Sequence, residues 1–455
     1  MARAGAARGE IQMTEGSLWK NILIFSIPLV FSQLLQVMFN MADVAVVGKF
    51  ASDTALGSVG STSTLVTLFT GFLIGMGNGV NVRVAQHLGA QHREETSRAV
   101  HTAFLLCLLA GVGIMALCLA LAANMLEMLH TKDDLLPGAV LYFRIYALGM
   151  PALGVFNFGN AVLSANGDTK RPLLYLTIAG ILNVILNLFF VIACRMAADG
   201  VALASVISQY VSAILVVWHM MRLNDACKFR FRELRFHGDE VGRILGLGVP
   251  AGIQHMIFAI ANLFIQAAVN SFDSTMVSGN AAAANTDTII YNIMMAFYTA
   301  CSTFMGQNWG AGHKKRMMDS YLISLFYAFA IAAVLGVAFY FAGRPFLYVF
   351  TNSADVVEAG MQRMKIMCFS YAISAFMDNT IAACRGLGRT IVPTVVVIMG
   401  SCVFRVIWVY TIFAHYHTIP SLYLLYAFSW TITAAAEIVY FLHCFRKLRL
   451  VPETV

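Results

Sequence analysis

Long apolar runs, cut only by proline, glycine and short charged clusters, follow one another from residue 20 to residue 443. They fix the solvent before anything else is known. In lipid every backbone polar group must be paired inside the protein, which leaves only helices and closed barrels. Barrel strands would show about ten residues of strict alternation. These runs are longer and do not alternate, so they read as helices of roughly 20 residues or more. With 59% of its residues hydrophobic and only 12% charged, the chain lies outside the range of soluble domains. Twelve spans result, near residues 20–47, 55–82, 99–126, 138–163, 172–194, 200–222, 243–270, 277–305, 320–342, 359–384, 391–413 and 420–443.

Short cytoplasmic loops collect lysine and arginine. An N-terminus on the inside places 22 of the 30 basic residues in the cytoplasm, among them Arg3, Arg8 and Arg449, and only Lys49, Lys132, Arg195 and Arg344 outside. The formal charge of +7 therefore speaks for topology and against nucleic acid as a partner. No small-residue cleavage site follows the basic start, so the first helix reads as retained and not as a signal peptide. The nine cysteines are scattered, mostly in apolar runs, with no CxxC pair. That pattern fits small core residues better than disulfides or a metal site.

An internal repeat sets the architecture. Gln86-His-Leu-Gly-Ala-Gln-His92 returns as Gln307-Asn-Trp-Gly-Ala-Gly-His313, and Gly167-Asp-Thr-Lys-Arg-Pro172 as Gly388-Arg-Thr-Ile-Val-Pro393, both at a spacing of 221. Pro28 matches Pro250 and Asn40 matches Asn262 at 222. Each half holds six spans, an even number, so the halves enter the membrane in the same sense, related by a pseudo-two-fold axis along its normal. The expected divisions are a disordered extension over 1–12, an N-terminal lobe over 13–223, a basic cytoplasmic linker over 224–240, a C-terminal lobe over 241–445 and a cytoplasmic tail over 446–455. Both termini then face the cytoplasm.

Within the first span, Gln33, Gln36, Asn40 and Asp43 recur at helical spacing on one stripe. An acid there cannot face lipid, and an ionisable residue inside a membrane is a functional candidate by default. Phosphate loops, zinc motifs and nucleophile elbows are absent from the sequence. The glycines of Gly75-Met-Gly-Asn-Gly79 suit close helix packing. A catalytic role is not expected, and neither is a cofactor. Energy, if used, comes from an ion gradient, which favours a secondary transporter over a receptor or scaffold.

The motifs resemble those of the multidrug and toxic compound extrusion (MATE) family from about Glu15 to Leu450. They are Asn40-x-x-Asp43-x-x-x-x-Gly48, Gln86-x-x-Gly89-Ala90 with its repeat at Gln307, Gly167-Asp-Thr-Lys-Arg-Pro172, and Cys384-Arg-Gly-Leu-Gly388. The resemblance implies an all-α transporter of twelve helices in two lobes. Such a protein exports organic, often cationic, compounds by alternating access in exchange for protons or sodium. It implies that Asp43 is the acid of an ion site in the first lobe and that Asn183 belongs to that site. Asn187 stands where some members carry a second aspartate, and Ser205 where they carry a hydroxyl. Asn183 and Asn187, four apart, share a helical face. Asn40, Asn183, Asn187 and Ser205 are thus the expected neutral neighbours of Asp43 in an ion-coupling site: one carboxylate holds one proton, or alternatively Asp43, Asn183 and Asn187, with Ser205, offer oxygens to a sodium ion.

The second half has Ile265 where the first has Asp43. His255 and Asn262 stand there instead, opposite Gln33 and Asn40 in the repeat. Gln33, Gln36, His255, Asn262, Asp287 and Asp378 are candidates for substrate or a second cation. Arg405, in mid-span, needs an acidic partner among Asp378, Asp287 and Glu437, and Glu437 is assigned to it as a structural pair. The expected protein is a monomer in the bacterial cytoplasmic membrane, in contact with lipid and a small-molecule substrate. A flippase of lipid-linked precursors is the nearer rival reading, and a receptor or scaffold the more distant one.

Overall fold

The structure, a computed structural model, describes residues 11–448. Residues 1–10 of the expected extension, with Arg3 and Arg8, and residues 449–455 of the tail, with Arg449, lie outside the described residues. The described chain is helical throughout, without a strand. Its long helices are α1 (Leu18–Phe50), α2 (Thr54–Gly89), α3 (Arg93–Met128), α4 (Leu136–Ala147), α5 (Met150–Ala165), α6 (Lys170–Ala193), α7 (Ala198–Arg222), α8 (Gly238–Val269), α9 (Ser274–Gly310), α10 (Lys314–Leu347), α11 (Ala354–Gly386), α12 (Ile391–Tyr416) and α13 (Ile419–Lys447). Eleven of them are long and apolar enough to cross a membrane, and α4 with α5 makes a twelfth span bent by 44°.

Helix faces turned outward are apolar, and buried polar side chains sit among the apolar core. On α6, Ile178, Ile181, Ile185, Phe189 and Ile192 are exposed, whereas Asn183 and Asn187 are buried. Water would reverse that arrangement. Lipid supports it, because apolar side chains lose nothing there and polar ones need partners in the interior.

The bend in the fourth span has a local cause. Pro151 carries no N–H and cannot continue the hydrogen-bond ladder. The hydroxyl of Tyr210, on α7, donates to the carbonyl of Leu148 at 3.0 Å and so occupies an acceptor at the break. The repeat is equally visible in backbone geometry. Gln91 and Gly312 take φ of 56° and 79° at the ends of the two matching motifs, and Gly167 and Gly388 take 89° and 77°. At each motif an amide turns back onto the preceding helix, His92 to the His87 carbonyl at 3.1 Å and His313 to that of Asn308 at 2.9 Å. These are left-handed C-caps, taken by glycine at Gly167, Gly312 and Gly388 and by Gln91 in the first motif.

Contacts divide the chain into two units. Among the described residues, the first contains Ile11, Gln12 and Phe31–Met256, and the second Met13–Val30 and the residues from Ile257 to Leu448. Helices α1 and α8 are therefore each divided, soon after their interior prolines Pro28 and Pro250.

In the first unit, α8 lies against α2 in a seam of i, i+4 positions. A Cβ on Gly75 would stand 2.3 Å from the Gly252 nitrogen, and one on Gly79 would stand 2.4 Å from the Gly248 nitrogen. One turn beyond Gly79 on α2, Arg83 Nε and Nη2 each donate to Glu240 at 2.8 Å, and His87 Nε2 lies 3.0 Å from the same carboxylate. The glycine run read from sequence as a packing element is thus a backbone-to-backbone crossing. Gly75→Val is expected to lower the thermal midpoint in detergent sharply, since overpacking costs about 1–3 kcal/mol even where neighbours can yield. Gly113→Ala, which meets nothing within 4 Å, is the control and should leave the midpoint unchanged or raise it.

The basic linker is laid on the first unit and is not wholly solvated. Cys227 and Phe229 are buried. Phe229 packs against Phe104 and stacks on His101 at ring distances of 4.7 and 5.4 Å. The Arg230 amide donates to His101 Nε2 at 3.0 Å. Sequence reading caught the linker's charge and missed its one aromatic anchor.

Candidate ion-coupling site

Three helices of the first unit bring four of the predicted residues together. Asn187 Nδ2 donates to Asp43 Oδ1 at 2.5 Å and to Asn183 Oδ1 at 3.2 Å. Asn183 Nδ2 donates to Ser205 Oγ at 3.3 Å, and Ser205 Oγ donates to Asp43 Oδ2 at 3.3 Å. The result is a closed ring of hydrogen bonds joining α1, α6 and α7 around one carboxylate. Helical spacing puts Asn183 and Asn187 on one face, and the buried Val46, Val47, Val191 and Val201 pack beside the ring. Tyr142 and Tyr146 of α4 stand within electrostatic reach of Asp43.

The ring leaves one group unused. Asn187 Oδ1 is buried and has no hydrogen-bond partner. A buried amide oxygen beside a carboxylate, an Asn183 carbonyl and a hydroxyl is the donor set that a hard cation such as sodium takes. The same carboxylate with two amides and a hydroxyl also holds a single proton. The geometry fits either ion.

The other members of the first-span stripe are not in the ring. Asn40 and Gln36 are exposed and Gln33 is half-buried. The assignment of Asn40 to the ion cluster is therefore corrected: a side chain three residues before Asp43 is rotated away by about 60°, enough to leave it on the open side. His255 is half-buried, its Cβ 3.1 Å from where a Cβ on Gly71 would stand.

In the second unit Asn262 is exposed and Asp378 half-buried. Asp287 is not an open acid. Arg363 binds it through Nη2 and, at 3.1 Å, through Nε. Arg363 also donates to Asn280 Oδ1 at 2.8 Å and to the Tyr423 hydroxyl at 3.3 Å. The expected pair of Arg405 with Glu437 is not formed. Arg405 donates from Nε to Ser429 Oγ at 3.2 Å and lies over the rings of Tyr426, Trp430 and Phe258 at 4.4, 5.6 and 5.8 Å. Aromatic faces can hold a guanidinium without an acid. Both carboxyl oxygens of Glu437 are buried without a hydrogen-bond partner.

Among the described residues no group of three or more histidines, cysteines or acids is placed to hold a metal ion. The Glu240 contact with Arg83 and His87 and the Asp287–Arg363 pair were invisible in the sequence, since in each the acid and its partners lie on separate helices. The one available signal for Arg363 was a charge inside a span.

Two matching membrane halves with a polar ring around a single acid define the class: a multi-pass membrane transporter. The family model described as MatE matches residues 28–189 and again 250–411, the same two halves that the repeat marks. The chain belongs to the MATE family of multidrug efflux transporters. A probable multidrug resistance protein, YpnP, of Bacillus subtilis (strain 168) is 28% identical over 79% of this chain and 80% of its own length. In fold, a MOP superfamily transporter from Pyrococcus furiosus Vc1 matches with a TM-score of 0.90 at 20% identity, over 97% of this chain and 99% of that one. A MATE protein in the bent conformation matches at 0.89 and 20% identity, over 97% and 98%.

Proposed function

We propose that this chain is a secondary antiporter of the cytoplasmic membrane, with both termini inside. It exports small amphiphilic compounds, organic cations among them, in exchange for protons or sodium by alternating access. The observation that carries this reading is the closed ring on Asp43. It ties a loadable carboxylate to three helices at once, so loading or releasing an ion changes how those helices are held. An ion can shift a conformational equilibrium only by binding two states differently, and a ring that must open to admit a cation has that property.

Efflux of a fluorescent organic cation from everted vesicles, under imposed proton and sodium gradients in turn, tests the reading. One gradient is expected to drive transport and the other not. Asn187→Asp gives the ring a second carboxylate and is expected to change the pH or sodium dependence of transport. If neither gradient moves the cation in the wild type, the antiport reading fails.

A further inference from the structure

Glu437 lies on α13 and is fully buried, with neither carboxyl oxygen hydrogen-bonded. It ends a polar ladder one helical turn apart along that helix. Ser429 receives Arg405 Nε. Thr433 Oγ1 donates to the Ser429 carbonyl at 2.6 Å and meets Ser401 Oγ at 3.2 Å. Glu437 follows at the next turn with no polar side chain on it.

The contact at Thr433 is built by a special backbone. Residues Ile398–Val403 of α12 form a π-helical stretch, and a Cβ on Gly400 would stand 2.3 Å from Thr433 Oγ1. Such stretches recur where a helix is shaped for function.

A carboxylate without a donor is costly in an apolar interior, whereas a carboxylic acid is tolerated. An ionisable group kept inside a membrane without a structural partner points to ion movement. The elements packed on α13 carry few charges near this point. From α11 come Cys384 and Arg385, both within electrostatic reach of Glu437, with Asp378 two turns earlier. From α12 come Arg405, held at Ser429, together with Cys402 and Tyr410, and α13 itself carries Tyr440 and Cys444. No set of oxygens surrounds Glu437 as one surrounds Asp43, so the site suits a proton and not a metal cation.

We propose that Glu437 is a second proton-binding carboxyl, in the second unit. It takes a proton from water in one conformation and returns it to water in another. The proposal rests on the antiport reading, and its first test does not require transport.

Purified full-length protein in liposomes would be treated with dicyclohexylcarbodiimide, which modifies protonated carboxyls in apolar surroundings, and mapped by mass spectrometry. Labelling of Glu437 is expected at neutral and mildly acid pH and should fade as the medium turns alkaline. Asp43→Asn should retain it. Glu437→Gln, which keeps the shape, is expected to lower proton-driven transport about tenfold while leaving substrate counterflow without a gradient intact. The idea is overturned if wild-type Glu437 is unlabelled throughout that pH range, or if Glu437→Gln couples like the wild type. Should that variant not fold, the wild-type labelling alone decides. A wild type that labels at Glu437 yet responds to no gradient would remove the antiport reading and leave the proton site standing.

Discussion

Asparagine in place of Asp43 is expected to bring gradient-driven efflux down to the background of vesicles lacking the protein, with little change in thermal stability. The amide has nearly the shape of the carboxyl: its oxygen can still accept from Asn187, and its NH2 can donate to the Ser205 hydroxyl oxygen, at the positions where the two carboxylate oxygens now accept at 2.5 and 3.3 Å. What it cannot do is exchange a proton or neutralise a cation. The variant should therefore bind substrate and exchange it down a gradient while losing the response to imposed pH or sodium differences. Vesicle efflux and counterflow, measured together, separate these effects. Equal loss of both would show that Asp43 serves folding or substrate contact. Unchanged efflux would remove Asp43 from the coupling role.

The largest stability effect is expected at the end of the seam between α2 and α8. Arg83 and Glu240 are 6% and 5% exposed and joined by two hydrogen bonds. Removing one partner of a buried ion pair strands the other and costs about 3–5 kcal/mol. Glu240→Ala, which strands Arg83, should lower the unfolding free energy by that much, and Arg83→Ala by less, because His87 still meets Glu240 at 3.0 Å. The double variant should fall well short of the sum, because the second change removes the stranded charge. Arg83→Met with Glu240→Leu, apolar and of similar bulk, should come close to the wild type. Singles that cost less than about 0.5 kcal/mol, the level of ordinary surface changes, would mean that water reaches the pair.

Much of the candidate ion site is legible in the sequence because its spacing is local. Asn183 and Asn187 announce a shared face by standing four apart, and Asp43 stands out as an acid in an apolar helix. Asn40 misled for the same reason: on paper it extends the stripe, but where the buried sector of α1 ends is set by what packs against it. Arg405 was correctly seen to need a partner. An acid was sought, and the chain supplied a hydroxyl and three aromatic rings, which no periodicity in the sequence marks. Asp287 was read as available, yet Arg363, 76 residues away, occupies it.

The sequence by itself determined the solvent, the helical class, the twelve spans and the two-fold repeat. Each follows from properties that act along the chain: hydropathy over a bilayer's thickness, glycine at left-handed caps, and motifs recurring at 221. Only the tertiary structure decided which buried charges meet. Arg83 with Glu240, Arg363 with Asp287, and Glu437 with neither oxygen hydrogen-bonded depend on which helix faces which across a low-dielectric interior. There a shift of a few ångströms turns a paired charge into a stranded one.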